Sequence, residues 1–495
     1  VILAIDEGTT GSTCLVFDNE GEVIGRSYRE FEQHFPRPGW VEHDAQEIWD
    51  VTHAVAGEAL NDAGVRPGEL TAIGITNQRE TVVVWDPETG TPLHRALVWQ
   101  DRRTAQRCDE LREAGHEALV RERTGLVLDP YFSGTKIEWL LRNVDGLAER
   151  AREGRAVFGT IDSWLIYKLT GEHATDPSNA SRTMLYDIRN GRWDEDLLAL
   201  LGDIPVKSLP EVRPSAGIFG TTRRDEFHGH AVPVAGVAGD QQAALFGQAC
   251  VQAGDGKNTY GTGSFVLVNQ GTKLPDPHEG LLTTIAWGIG DKIVYALEAA
   301  IFVTGAAVQW LRDGLGIIAN ADDTEPLARE LRSNEGVYFV PALTGLGSPY
   351  WDPYARGVLV GLTRGTRKAH FARAALEAMA YQTTDAVRTM ERAGGEPLSR
   401  LKADGGAVVN GWLMQFQADV LGVEVVVPAI SETTALGAAY LAGVGTSVWT
   451  LDQIARTWKA RRRFEPTMRE DEREALLRDW HRAVERARGW AREDS

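Results

Sequence analysis

The amino-acid sequence predicts an α/β protein of two lobes around a cleft, and three observations carry that expectation. The chain has 495 residues, whereas a single hydrophobic core stops growing near about 250 to 300 residues. Short β-branched runs bounded by turn residues alternate with segments of helical apolar spacing, the pattern of layered α/β domains. A turn rich in glycine and threonine follows an apolar strand near the start and again near the middle, which suggests that the lobes are related copies.

Taken in order, Val1 to Ile5 is an apolar run that ends in Asp6. Gly8, Thr9, Thr10, Gly11 and Ser12 follow, then the apolar run Cys14 to Phe17 and the turn residues Asp18 to Gly21. This reads as strand, tight turn, strand, hairpin turn. Further buried strands are expected over 72–76, 81–85, 157–159 and 234–237, all short and β-branched. A helix is expected to begin at Asp240 and to end near Gly247, and with no low-complexity linker the lobe boundary is placed there, giving domains 1–247 and 248–495. Asn258 to Tyr260 then lead into Gly261-Thr262-Gly263-Ser264 and the strand Phe265 to Val268. Strands are also expected over 336–340 and 424–427. Helices follow from the spacing of Phe371, Ala375, Met379, Thr383, Val387 and Met390, and of Leu476, Trp480, Ala483, Ala487 and Trp490.

Composition narrows the function. A formal net charge of −18 argues against a nucleic-acid partner, and the basic run from Lys459 to Arg463 reads as a solvated face. No window approaches the roughly 18 uninterrupted apolar residues of a membrane span. The start of the chain lacks the pattern of a secretory signal, and three cysteines, Cys14, Cys108 and Cys250, match neither a disulfide framework nor a zinc site. A reducing cytoplasm is the expected location.

Five motifs carry chemistry. Asp6-Glu7-Gly8-Thr9-Thr10-Gly11-Ser12 combines glycines that let the backbone approach a phosphate with a strand-tip carboxylate suited to Mg²⁺. It lacks the Gly-Lys-Ser/Thr of a Walker loop. Gly261-Thr262-Gly263-Ser264 repeats the phosphate chemistry in the other half, and Asp404-Gly405-Gly406 to Asn410 is a strand end leading into a helix whose free amides suit a nucleotide. Asp240, at the end of Gly236-Val237-Ala238-Gly239, is either a helix cap or a general base. Adjacent Arg79 and Glu80 lie between two apolar strands, where charges persist only when paired.

Over its whole length the chain resembles the glycerol-phosphorylating branch of the FGGY carbohydrate kinases, within the actin, hexokinase and Hsp70 ATPase superfamily. The resemblance rests on stretches such as Pro38-Gly39-Trp40-Val41-Glu42-His43-Asp44, Val98-Trp99-Gln100-Asp101-Arg102-Arg103, Ala180-Ser181-Arg182-Thr183-Met184, 238–247, 258–263 and 349–357. It implies two ribonuclease-H-like (actin-like ATPase) domains flanking a catalytic cleft, and transfer of the ATP γ-phosphoryl group to glycerol. It further implies that Arg79, Glu80, Asp240 and Gln241 bind the polyol hydroxyls, with Trp99, Tyr131 and Phe265 as walls. Thr9, Thr10, Gly11, Thr262, Gly305, Gln309, Gly406 and Asn410 would line ATP, Asp6 and Asp240 would hold Mg²⁺, and Asp240 would take the proton. A homodimer or homotetramer is implied as well.

Two departures stand out. The family commonly has Gln where this chain has Glu7 and Arg where it has Thr13, so an added negative charge beside the metal and a missing positive one at the phosphate loop are expected. The competing readings are a kinase of a longer sugar, for which Trp99 and Phe265 leave little room, and a non-enzymatic filament or chaperone relative, for which the tail after Pro466 is too short to add a peptide-binding domain.

Overall fold

The computed structural model describes residues 1–492, so the last three residues of the expected second domain lie outside the described residues. Its frame is one continuous sheet of thirteen strands. In chain order these are β1 (Ile2–Glu7), β2 (Gly11–Phe17), β3 (Val23–Glu30), β4 (Ala72–Asn77), β5 (Ala216–Thr221), β6 (Pro233–Gly239) and β7 (Asp255–Tyr260). There follow β8 (Ser264–Gly271), β9 (Leu282–Ile289), β10 (Lys292–Ile301), β11 (Arg400–Gly405), β12 (Val425–Pro428) and β13 (Ala460–Phe464). Across the sheet the order is β13-β12-β11-β7-β8-β10-β9-β5-β6-β4-β1-β2-β3.

The two halves repeat one topology. In the first, β1, β2 and β3 are antiparallel neighbours, and β4 and then β6 extend the sheet in parallel on the other side of β1. In the second, β7, β8 and β10 take the antiparallel places and β11 and β12 the parallel ones. The halves meet in the sheet at a single pair, Ala216 with Ile289. The matching turns noted in the sequence are thus the same hairpin, β1–β2 and β7–β8, in each copy.

Burial explains the strands. Every residue of β4 is buried and so are six of the seven in β6, as expected of parallel strands covered on both faces. The helices used below are α1 (Ala45–Ala63), α2 (Asp240–Gly247), α3 (Gly305–Gln309), α4 (Lys368–Arg392), α5 (Gly411–Leu421), α6 (Thr433–Gly445) and α7 (Glu470–Ala487). Helix α2 ends where the sequence placed its end. Helix α6 comes from the second half but lies on β4 and α2 of the first, with backbones in near contact. A Cβ on Gly74 would meet Ala438 O at 2.2 Å, and one on Gly437 would meet Ala243 O at 1.8 Å. Only glycine permits that approach, so the halves are joined by packed backbone as well as by the sheet.

Several expected elements differ. The run 81–85 is a strand only over Val83–Trp85 and lies outside the main sheet, paired with Val157–Gly159. The run 336–340 shrinks to Tyr338–Val340, paired with Val358–Val360. Trp490 lies beyond α7 and is 71% exposed, so its spacing from Ala487 is coincidental. The basic run is an edge strand, β13, whose Arg463 reaches Glu424, just before β12, at 2.7 Å, and its arginines guard that edge against pairing with another chain. All three cysteines are free and buried. No described helix is long and apolar enough to cross a membrane.

Candidate active site

Register brings the first-half motifs together. Glu7 of β1 pairs with Asn77 of β4, and Asn77 pairs with Gly239 of β6, so all three parallel strands end at one level. Asp6, the segment Gln78-Arg79-Glu80 and Asp240 therefore emerge side by side at the carboxyl ends of a parallel sheet, where ligand sites of α/β proteins form. In the second half Tyr260 pairs with Gly405, which brings the Gly261–Gly263 turn next to the Gly405–Gly406 turn.

At the first group of tips lies a buried charge network. The guanidinium of Arg79 binds Glu298 of β10 through both terminal nitrogens, at 2.6 and 3.0 Å. Arg182 donates from Nε to Glu80 Oε1 at 2.7 Å and from Nη2 to Glu298 Oε1 at 3.1 Å. All four residues are at most 2% exposed. Burial alone would raise the pKa of Glu298, but Arg182 and Arg79 override it and hold it at about 2. Two cations and two carboxylates thus neutralise one another, which is the condition for keeping them in a core. Glu80 has φ 64°, a conformation that costs a non-glycine residue about 1 kcal/mol or more and that is held by Arg182 and by the Ser133 hydroxyl on its carbonyl (2.9 Å).

The residues expected on the polyol side surround this network. Asp240 opens α2, and its Oδ1 lies 3.3 Å from Arg79 Nε. Its Oδ1 also accepts from the Gln241 amide at 2.7 Å while 32% of the side chain stays exposed, so the carboxylate both holds the start of α2 and faces the cleft. Tyr131 OH accepts from Arg79 Nη2 at 3.3 Å, the Phe265 ring centre lies 5.8 Å from the Arg79 guanidinium, and Trp99 meets Tyr131 edge-on at 5.6 Å. Burial and Glu80 push the Tyr131 phenol well above its ordinary range, so it stays protonated. Trp99 Nε1 also donates to Thr9 Oγ1 at 2.9 Å, tying the aromatic wall to the first phosphate turn. Gln241 accepts at Oε1 from Lys257 Nζ (2.5 Å), a buried β7 lysine whose pKa burial lowers to about 8. With its oxygen occupied, Gln241 has its amide hydrogens left for a ligand.

The residues expected on the nucleotide side are only partly gathered. The Gly305 and Ala306 amides, at the start of α3, donate to Gly261 O and Thr262 O at 3.1 and 3.0 Å. That fixes Thr262 beside Gly305, and the β7–β11 register adds Gly406, which is exposed with open space about it. Asn410 caps α5 through Oδ1 to the Leu413 amide (2.9 Å). Gln309 is exposed at the end of α3 and touches none of the other expected residues through a hydrogen bond. Gly11 closes the first turn on Gly8 N, and Thr10 at its tip is exposed.

Asp6 fits a cation. It is half-buried at the tip of β1, desolvation and the neighbouring carboxylate of Asp240 push its pKa up to about 7, and no positive group pulls it back. Two hard-oxygen ligands of this kind suit Mg²⁺, which takes one or two carboxylates and completes its shell with phosphates and water. Glu7 corrects an expectation. It points to the other face, accepts from Thr52 Oγ1 of α1 at 2.7 Å, and burial raises its pKa to about 8. Burial thus favours its uncharged form, and its carboxyl faces α1 and not the side of Asp6. Thr13 pairs with Asp6 across β1–β2 and is partly exposed on the same face.

Glu298, Arg182 and Lys257 were absent from the residues singled out by sequence as site members. The legible signal was local: a lone acid in the apolar run Tyr295-Ala296-Leu297-Glu298-Ala299-Ala300-Ile301, and a lone lysine inside β7.

Comparison with known proteins gives this geometry a family. Residues 1–247 match the N-terminal domain, and residues 256–446 the C-terminal domain, of the FGGY family of carbohydrate kinases. The chain belongs to that family. Among relatives of this FGGY kinase, glycerol kinase 2 of Thermotoga maritima is 56% identical over 99% of both chains. The solved structure of Plasmodium falciparum glycerol kinase with ADP superposes with a TM-score of 0.94 at 35% identity, covering 98% of each chain. Gluconate kinase from Lactobacillus acidophilus superposes with a TM-score of 0.87 at 20% identity, covering 98% of this chain and 96% of that one, a likeness of fold alone. As a kinase the protein takes ATP as phosphoryl donor. The fold serves several sugars, so the substrate has to be argued from the site.

Proposed function

We infer that this FGGY kinase is a glycerol kinase, which transfers the γ-phosphoryl group of ATP to glycerol and releases sn-glycerol 3-phosphate and ADP. One observation supports this most: four polar side chains, Arg79, Glu80, Asp240 and Gln241, converge at the strand tips against the walls Trp99, Tyr131 and Phe265. Glycerol is nearly all hydroxyl, so a pocket for it needs fixed donors and acceptors in a small walled space. The names of the full-length relatives point the same way.

In this reading Arg79 donates to a polyol hydroxyl while Glu80 accepts from one, each held by the buried network and unable to swing away. Asp240 accepts the proton of the terminal hydroxyl as its oxygen forms a bond to the γ-phosphorus and the bond from phosphorus to the β-phosphate oxygen breaks. The Gly8–Gly11 and Gly261–Gly263 turns approach the phosphate chain from the two halves, and closing on it excludes water that would otherwise be phosphorylated. Mg²⁺ bound by Asp6 and Asp240 would neutralise charge on the phosphates. We place Gly305, Gln309, Gly406 and Asn410 along the nucleoside, and the protein in the cytoplasm as a homodimer or homotetramer.

An ADP-coupled assay on a substrate panel tests the reading. Glycerol is expected to be turned over far better than xylulose or gluconate. Propane-1,2-diol and propane-1,3-diol, which leave a buried group unpaired, should lose up to about 10⁴-fold in kcat/KM. A longer sugar that outperforms glycerol, or a diol that equals it, would refute the reading.

A further inference from the structure

Asp176 lies outside the pocket, yet hydrogen bonds connect it to both sets of residues that act there. It precedes the short helix Pro177–Ala180 and is fully buried. Its carboxylate accepts five hydrogen bonds: from the Ser178 and Asn179 amides (3.0 and 2.9 Å), the Ser178 hydroxyl (2.9 Å), Asn179 Nδ2 (3.0 Å) and the Ser215 hydroxyl (2.6 Å). A helix cap needs two of these; the others lead elsewhere.

Two arms leave the carboxylate. In one, the Ser178 hydroxyl, oriented by donating to Asp176, accepts from the backbone amide of Gly239 at 3.0 Å, one residue before Asp240. In the other, Asn179 and Asn77 exchange a reciprocal pair of amide hydrogen bonds at 3.0 and 3.1 Å, and Asn77 Nδ2 also donates to Gln78 O at 2.9 Å, one residue before Arg79. Both hydrogens of each amide are used. Since Asp176 is held as an acceptor, it decides which way the Asn179 amide faces, and Asn179 decides the same for Asn77. Asn77 and Gly239 are themselves register partners, so the arms grip adjacent strand tips.

We propose that Asp176 is a positioning residue that sets the placement of Asp240 relative to Arg79 and Glu80, through Ser178 on one side and the Asn179–Asn77 pair on the other. Phosphoryl transfer depends on such placement, because a displacement of about 1 Å can cost about 10²-fold. The inference rests on the glycerol kinase reading, and if glycerol proves not to be the substrate the same variants are read with whichever polyol the wild type phosphorylates.

A merely structural role would make all losses multiply and spare no parameter, whereas the two-arm arrangement separates them. Ser178→Ala is expected to lower kcat at least tenfold, with the KM for glycerol within about threefold of wild type. Placed in an Asp240→Asn background it should add less than about threefold, since its effect acts through Asp240. Asn179→Ala is expected to raise the KM for glycerol at least tenfold with a smaller change in kcat. Asp176→Asn should do both, and all variants should bind ADP as the wild type does. Should Ser178→Ala fail to fold, the second arm is decided by Asn179→Ala in a Glu80→Gln background, with the same non-additivity required. Full multiplication of the Ser178→Ala and Asp240→Asn losses, equal changes of kcat and KM in both arms, or no change in either overturns the proposal.

Discussion

Replacing Glu298 by Gln keeps the shape of the buried network and removes one of its two negative charges. The carboxylate accepts three charge-assisted hydrogen bonds, two from Arg79 and one from Arg182, in a site with no solvent contact. Against burial, the two arginines lower its pKa from 4.5 to about 2, a difference worth about 3 kcal/mol at about 1.4 kcal/mol per unit. That agrees with the roughly 3 to 5 kcal/mol lost when one member of a buried charge network is removed. The variant should therefore unfold more easily by about 3 kcal/mol, a large part of an ordinary stability of about 5 to 15 kcal/mol. Because the folded pKa is depressed, the contribution is fully present above about pH 4.5 and is lost as pH falls towards 2. The gap between wild type and Glu298→Gln should be widest at neutral pH and narrow below about pH 4.5. Urea unfolding across that pH range measures it, alongside the KM for glycerol, which should rise at least tenfold as Arg79 loses its anchor. A variant as stable as wild type at pH 7, with an unchanged KM, would refute the reasoning.

Two further outcomes follow from the first phosphate turn. Glu7→Gln mimics the uncharged form that burial favours for Glu7, so the KM for ATP should stay within about twofold; a marked fall would show that Glu7 carries charge in the folded enzyme. Thr13→Arg places a cation on the same face as Asp6 and should lower the KM for ATP by up to about tenfold without altering that for glycerol, given about 1.5 kcal/mol for a partly exposed charge-assisted bond; steady-state kinetics with varied ATP decide it.

How much was legible in the sequence depended on distance along the chain. Asp6 and Asp240 could be found because a strand tip, a carboxylate and glycines are contiguous, and the duplicated hairpins because each copy keeps its own turn. Arg79 and Glu80 were flagged by charge between apolar strands, but their partners could not be named: Glu298 lies 219 residues from Arg79, and Arg182 lies 102 from Glu80. Asp176 is a plain helix start in sequence, and its reach to Asn77 and Gly239 appears only once three strand ends are level. The β9–β10 hairpin, which carries Glu298, was not anticipated; it turns at Gly290-Asp291, with Gly290 at φ 56°. The strand expected over 81–85 is shortened to Val83–Trp85 because Thr81 and Val82 bond instead to Trp99 and Leu97, a tertiary choice that local propensity does not record.

The central claim is that Asp240, delivered by β6 beside Arg79, takes the proton from a bound glycerol hydroxyl. Asp240→Asn tests it most directly, because the amide keeps the size of the side chain and can still accept from Arg79 Nε, now 3.3 Å away. Glycerol titrated calorimetrically into the variant should bind within about threefold of wild type, while kcat falls by about 10² to 10⁴. A kcat reduced by less than about tenfold, with binding intact, would contradict the account.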